Sequence, residues 1–139
     1  MIATDGADEV LELMSGNTGH NAPSCRVEKL SWGSAGPVAA LGLRQEPDFV
    51  LAADVVYGGN PEARDALVES IKALSGGSTV VVIAQLLRRR SEVGFFYEAL
   101  SGEFEIRSLP QRLLHPAFNG HGLNSCQIHM LRRKDVKHA

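Results

Sequence analysis

The segment Thr79-Val-Val-Val-Ile-Ala84 constrains the fold of this chain more than any other stretch. Its β-branched density and the nearby Gly76-Gly77 favour a strand over a buried helix, and its unbroken apolarity assigns it a central position in a sheet. A second continuous apolar run, Phe49 to Ala53, reads as a strand covered by helices on both faces. Between the two, Asn60 and Pro61 start a helix as cap and first residue, Ala63, Leu67, Ile71 and Leu74 form its stripe, and Gly76-Gly77 end it. Strand, helix and strand in this order predict an α/β fold, Rossmann-like, with helices on both faces of a mostly parallel sheet.

The alternation continues in both directions. Ile2-Ala3-Thr4 suits a short strand, Asp5 is placed to cap a helix with the stripe Ala7, Val10, Leu11 and Met14, and Gly16 is placed to end it. Val27 to Leu30 reads as another short strand, running into Ser31-Trp32-Gly33 and a Gly/Ala/Pro-rich loop to about Pro47. Ser91 is placed to cap a helix with the stripe Val93, Phe96, Tyr97 and Leu100. The period then changes: Phe104 and Ile106, and later Cys126, Ile128 and Met130, alternate with polar residues. These predict two half-buried strands paired antiparallel at one end of the sheet, with Pro110 to Asn124 as a loop between them. One domain is expected over residues 1–134, with 135–139 as a frayed tail.

The 139 residues carry 14 Lys+Arg against 16 Asp+Glu, a net charge of -2. That balance excludes a strongly basic nucleic-acid module. No apolar stretch approaches the roughly 20 residues of a membrane span. The first residues show no basic region followed by an apolar one, so no secretory signal is expected and cytoplasmic location is the default. Cys25 and Cys126 read as free thiols, with a single disulfide left open. The histidines and cysteines fall at no zinc spacing, so no metal is expected. Arg88-Arg89-Arg90 and Arg132-Arg133-Lys134 read as solvated element ends, with contact to an acidic partner or nucleic acid as the alternative.

Open parallel sheets bind ligands beyond the carboxyl ends of their strands. Four residues fall there: Asp5 after the first strand, Trp32 after the second, and Asp54 after the Phe49 run with Tyr57 three residues on. A carboxylate at such a position can accept both hydroxyl protons of a ribose diol, and an indole can lie against a purine. Asp54 and Tyr57 offer an acceptor and an aromatic hydroxyl to an amine. Plain structural roles stand beside these: Asp5 as a helix cap, Trp32 as a packing residue, Tyr57 as cover for the sheet end. Asp54 is harder to explain so, because a carboxylate directly after five apolar residues is costly unless hydrogen-bonded or functional.

Thr4-Asp5, Leu13-Met14 and Asn17, Leu30-Ser31-Trp32-Gly33, and Asp48-Phe49 through Ala53-Asp54-Val55-Val56-Tyr57 together resemble the class I, seven-stranded S-adenosylmethionine-dependent methyltransferases. The similarity is to the family 16 protein-lysine methyltransferase group, in which Trp-Gly follows the third strand and Asp-x-x-Tyr ends the fourth. The resemblance implies S-adenosylmethionine as cofactor, with Asp5 on the ribose, Trp32 on the adenine and Asp54 beside the methionine portion and reacting methyl. It makes Asp54 and Tyr57 the catalytic pair and Tyr57 part of the pocket for a lysine amine of a protein substrate. No Asn-Pro-Pro-Tyr-like motif follows the fourth strand, which disfavours a nucleic-acid acceptor. The resemblance also implies that the chain begins, N-terminally truncated, at the family's second strand. The first strand and its Gly-rich loop are then missing, and their central place in the sheet predicts a gap or two unpaired edges that a partner or a missing N-terminal segment would complete. A non-catalytic interaction module on the same scaffold is the alternative function.

Overall fold

The computed structural model describes residues 1–33, 36–56, 59–86, 90–116 and 126–135. Strands and helices alternate as β1 (Ile2–Asp5), α1 (Asp8–Asn21), β2 (Arg26–Lys29), α2 (Pro37–Ala40), β3 (Phe49–Ala53), α3 (Pro61–Leu74), β4 (Val80–Leu86), α4 (Arg90–Ser101), β5 (Phe104–Ser108) and β6 (Cys126–Arg133), with a 3-10 turn at Gln111–Leu113. Four strands form a sheet in the order β3-β4-β6-β5, and β1 and β2 pair with each other. Both β1-β2 and β3-β4 are parallel, whereas β6 runs antiparallel to β4 and β5. This is the expected α/β arrangement with its C-terminal antiparallel hairpin. Among the described residues, no strand pairs with β1 on its side away from β2, or with β3 on its side away from β4. These are the two unpaired edges anticipated above.

The core lies where α3 and α4 cover the four-stranded sheet. Val81 and Ile83 of β4 are fully buried among Leu67 and Ile71 of α3, Phe96 and Leu100 of α4, and Leu131 of β6. α3 begins as its sequence dictates: the Asn60 side chain accepts from the N–H groups of Glu62 and Ala63 at 3.0 and 3.3 Å, with Pro61 as the first helical residue. The turn into β4 is held by Thr79, whose buried hydroxyl accepts from Gly76 N–H at 3.0 Å and donates to the Pro47 carbonyl at 2.7 Å.

Several expectations need correction. The Phe49–Ala53 strand is covered on one face only: Val50 and Ala52 pack on the core, whereas Phe49 and Leu51 are 63% and 71% exposed. Apolarity on both faces therefore does not mean burial on both. Asp5 is not the cap of α1; it ends β1, and Ala7 is the N-cap. Nor does Gly16 end α1, which continues to Asn21 with its expected stripe half-buried, because a mid-helix glycine weakens a helix without breaking it. α4 starts at Arg90, one residue ahead of the proposed Ser91 cap, and the loop before Pro47 contains the one-turn α2. β4 runs two residues past Ala84. Expectations about Tyr57, Arg88-Arg89, the loop from Ala117 to Asn124 and the tail beyond Asp135 fall outside the described residues.

Candidate functional site

Two turns, one after β2 and one after β3, carry the residues of interest. In the first, Gly33 has φ +75°, its N–H donates to Ser70 Oγ of α3 at 2.9 Å, and a Cβ there would stand 3.0 Å from Ala66 Cβ. A larger residue would be strained in the left-handed region and would push against α3. The glycine after Trp32 thus lets the turn seat directly on α3 and present the indole, which is 37% exposed.

The second turn begins at Asp54, the one non-glycine residue with positive φ, at 54°, among the described residues. Such a backbone is disfavoured for an L-residue, though less so for Asp than for most. It is offset by bonds on both sides. Asp54 N–H donates to the Ala84 carbonyl at 2.7 Å, and Asp54 Oδ1 accepts from Gln85 Nε2 at 2.9 Å and from Leu86 N–H at 3.4 Å. Val56 is held by the same amide: its N–H donates to Gln85 Oε1 and its carbonyl accepts from Gln85 Nε2, both at 3.1 Å.

Between the two turns, the first half of α3 and Phe95 in the middle of α4 lies a cleft of about 220 Å³. Trp32, Val55, Val56, Leu67 and Phe95 are among its apolar lining residues, and Asn60 and Arg64 line it as well. The Arg64 guanidinium stands 5.9 Å from the centre of the Phe95 ring and donates to Asp65 Oδ1 from Nε and Nη2 at 2.9 and 2.8 Å, so its charge is partly answered within α3.

Of the four residues singled out in the sequence, Trp32 lines this cleft, and Asp54 immediately precedes two lining residues. Asp5 is not on the lining. It pairs in register with Lys29, its carbonyl accepts from Leu30 N–H at 2.9 Å, and its Oδ1 accepts from Ala7 N–H at 2.9 Å. It therefore shares the end of the β1-β2 pair from which the Trp32 turn departs. Tyr57 lies outside the described residues. Sequence reasoning missed Arg64 and Phe95 as lining residues and passed over Gln85, a buried amide inside an apolar strand. The polar interruption of Val-Val-Ile-Ala-Gln-Leu was the signal available for Gln85. Among the described residues no His, Cys, Asp or Glu cluster could hold a metal ion, and no helix is long and apolar enough to cross a membrane.

A family model described as lysine methyltransferase matches residues 1–101. The chain belongs to the lysine methyltransferase family. No curated protein sequence matches it. Similar folds occur in a methyltransferase from Pyrococcus furiosus (16% identity, TM-score 0.62, 97% of this chain and 62% of that one) and a TehB-like SAM-dependent methyltransferase from Corynebacterium glutamicum (14%, 0.67, 96% and 67%). A third is a putative rRNA methylase from Clostridium thermocellum (11%, 0.61, 96% and 74%). At these identities the likeness speaks for the fold, and this family member spans 62% of the length of the Pyrococcus furiosus protein. The fold is that of the Rossmann-like class I methyltransferases, whose methyl donor is S-adenosylmethionine. The match over residues 1–101 takes in the Trp32-Gly33 turn, the Asp54 turn and β4.

Proposed function

We propose that this chain forms the donor-binding and catalytic part of an S-adenosylmethionine-dependent methyltransferase whose acceptor is a lysine amine of a protein. The observation that carries the reading is the joining of Trp32, Val55 and Val56 in one cleft at the carboxyl ends of parallel strands, with Asp54 opening the turn that bears two of them. The residues suit this donor: an indole and two valines for an adenine, and carboxylates at Asp5 and Asp54 for a ribose diol and a cationic methionine end. When bound, S-adenosylmethionine supplies a methyl group on a positively charged sulfur, open to displacement by a neutral amine.

The protein's own contribution is alignment and charge. Trp32 and the valines hold the base, Asp5 accepts from the ribose hydroxyls, and Asp54 faces the cationic end. A lysine amine, with a solution pKa near 10.4, must shed its proton before it reacts. Asp54 and Tyr57 are the groups assigned to hold that amine. The family description supports a protein lysine as acceptor, and the net charge of -2 is not that of a strongly basic nucleic-acid module.

Calorimetric titration with S-adenosylhomocysteine tests the donor site. The chain is expected to bind it, and Asp5→Ala and Trp32→Ala are each expected to weaken binding by about tenfold, the loss of one charged hydrogen-bonding or stacking contact. Binding indifferent to both substitutions would sink the site assignment. The two unpaired strand edges favour a second reading, a methyltransferase-like interaction module without turnover. Transfer of labelled methyl to protein lysine, lost in Asp54→Ala, decides for the enzyme, and label appearing in RNA instead overturns the lysine assignment.

A further inference from the structure

Gln85 is 1% exposed, and its amide is one of five buried polar side chains among the described residues. Burying such a group without partners costs about 1–3 kcal/mol, so its bonds define what it is there to do. In register, Ala84 of β4 pairs with Ala53 of β3, so Gln85 stands one step beyond the last paired residue, beside the turn that Asp54 opens. Oε1 accepts from Val56 N–H at 3.1 Å, while Nε2 lies within hydrogen-bond distance of Asp54 Oδ1 at 2.9 Å, the Val56 carbonyl at 3.1 Å and the Leu86 carbonyl at 3.2 Å. The amide cannot be flipped. Turned over, its oxygen would face a carboxylate and two carbonyls, and its NH2 would face a backbone N–H.

We propose that Gln85 is the positioning residue of the donor site: from the core, its amide clamps the turn after β3 and aims the Asp54 carboxylate at the methionine end of the methyl donor. The assignment rests on the donor-site reading above. Two features make Gln85 the cause rather than a bystander. Asp54 adopts a left-handed backbone that its own residue type does not require, and three bonds that oppose relaxation come from β4, at Ala84, Gln85 and Leu86. Gln85 also holds both backbone groups of Val56, so one side chain pins the turn two residues beyond the carboxylate as well as the carboxylate itself.

A double-mutant cycle on the full chain, with S-adenosylhomocysteine affinity as readout, separates positioning from general support. Gln85→Leu, of similar size and without polar atoms, is expected to weaken binding by about tenfold or more when Asp54 is present and by no more than about twofold in the Asp54→Ala background. 5′-Methylthioadenosine, which lacks the amino-acid end, should lose little affinity in Gln85→Leu. Equal losses in both Asp54 backgrounds, or equal losses for the two ligands, overturn the assignment. If Gln85→Leu does not fold, Gln85→Glu replaces it in the cycle; it keeps the shape, sets a carboxylate against Asp54 Oδ1, and is expected to show the same Asp54-dependent loss. Failure of the unmodified chain to bind S-adenosylhomocysteine overturns the donor-site reading and this assignment with it, whereas binding without coupling overturns the assignment alone.

Discussion

At the scale of single residues, the chain places polar groups inside its core where each has a distinct effect. Gln85 is fully bonded, but His129 Nδ1 and the Tyr97 hydroxyl are buried without hydrogen-bond partners among the described residues. Their rings lie against each other, centroids 4.2 Å apart. Burial holds the His129 pKa below its ordinary 6.5 and pushes the Tyr97 hydroxyl upward, because neither ion is solvated there. The consequence for stability follows from where the proton binds first. As pH falls through about 6.5 the unfolded chain takes up a proton that the folded chain resists, so stability is full above that value and is lost below it. Thermal melts from pH 7.5 to 5.5 are expected to show a falling midpoint, and His129→Phe, which keeps a ring against Tyr97, is expected to flatten that fall. A slope unchanged in His129→Phe assigns it to other groups.

At the scale of elements, helix ends are fastened by the last strand. Arg133 of β6 donates from Nε to the Ser75 carbonyl and from Nη2 to the Lys72 carbonyl, both at 2.7 Å, and pairs through Nη1 with Glu103 Oε2 at 2.8 Å. Carbonyls at the C-terminus of α3, where the regular i+4 N–H donors run out, thus receive a cation's N–H groups, at Lys72 in addition to the 3.3 Å bond from the Ser75 N–H, and Lys134 does the same for the Ser101 carbonyl at the end of α4 at 2.7 Å. The basic run Arg132-Arg133-Lys134 is therefore not simply solvated. Lys72, whose amine contacts Glu103 at 3.0 Å, holds the Glu103 carboxyl below its usual range with help from Arg133. Arg133→Ala should cost about 1–3 kcal/mol in denaturant unfolding, the range for losing charged hydrogen bonds. Arg133→Lys should recover less than half of it, since a single ammonium cannot reproduce the guanidinium fork. Full recovery by lysine would mean that charge alone, not geometry, fastens the helix.

At the scale of the whole molecule, the two faces of the four-stranded sheet differ. One carries Val81, Ile83 and Leu131 beneath α3 and α4, all fully buried, and the other carries Phe49, Leu51 and Met130, which are exposed. Ile83→Ala is expected to cost about 2–5 kcal/mol, whereas Leu51→Thr, at an equally apolar position in the neighbouring strand, should stay within about 0.5 kcal/mol. Equilibrium unfolding measures both. A large loss from Leu51→Thr would show that this face is covered in solution.

Much of this architecture was legible because it follows from local rules. The period of two or 3.6 marks strand or helix, β-branched density picks out β4, Asn60-Pro61 starts α3, and the glycine after Trp32 signals a turn that only a residue without a Cβ can make. The Trp32-Gly33 and Asp54 turns were legible too, as a family resemblance. What remained hidden depends on residues far apart in the chain. An unbroken apolar run does not say which of its faces a helix will cover, and Phe49 and Leu51 are open because α3 and α4 both pack on the side of Val50 and Ala52. Gln85 meets Asp54 across 31 positions, and Arg133 meets Ser75 across 58. No local rule reaches that far. Tertiary packing alone decides which buried polar group finds which partner, because an unmet hydrogen bond is costly only once burial has removed the water that would otherwise satisfy it.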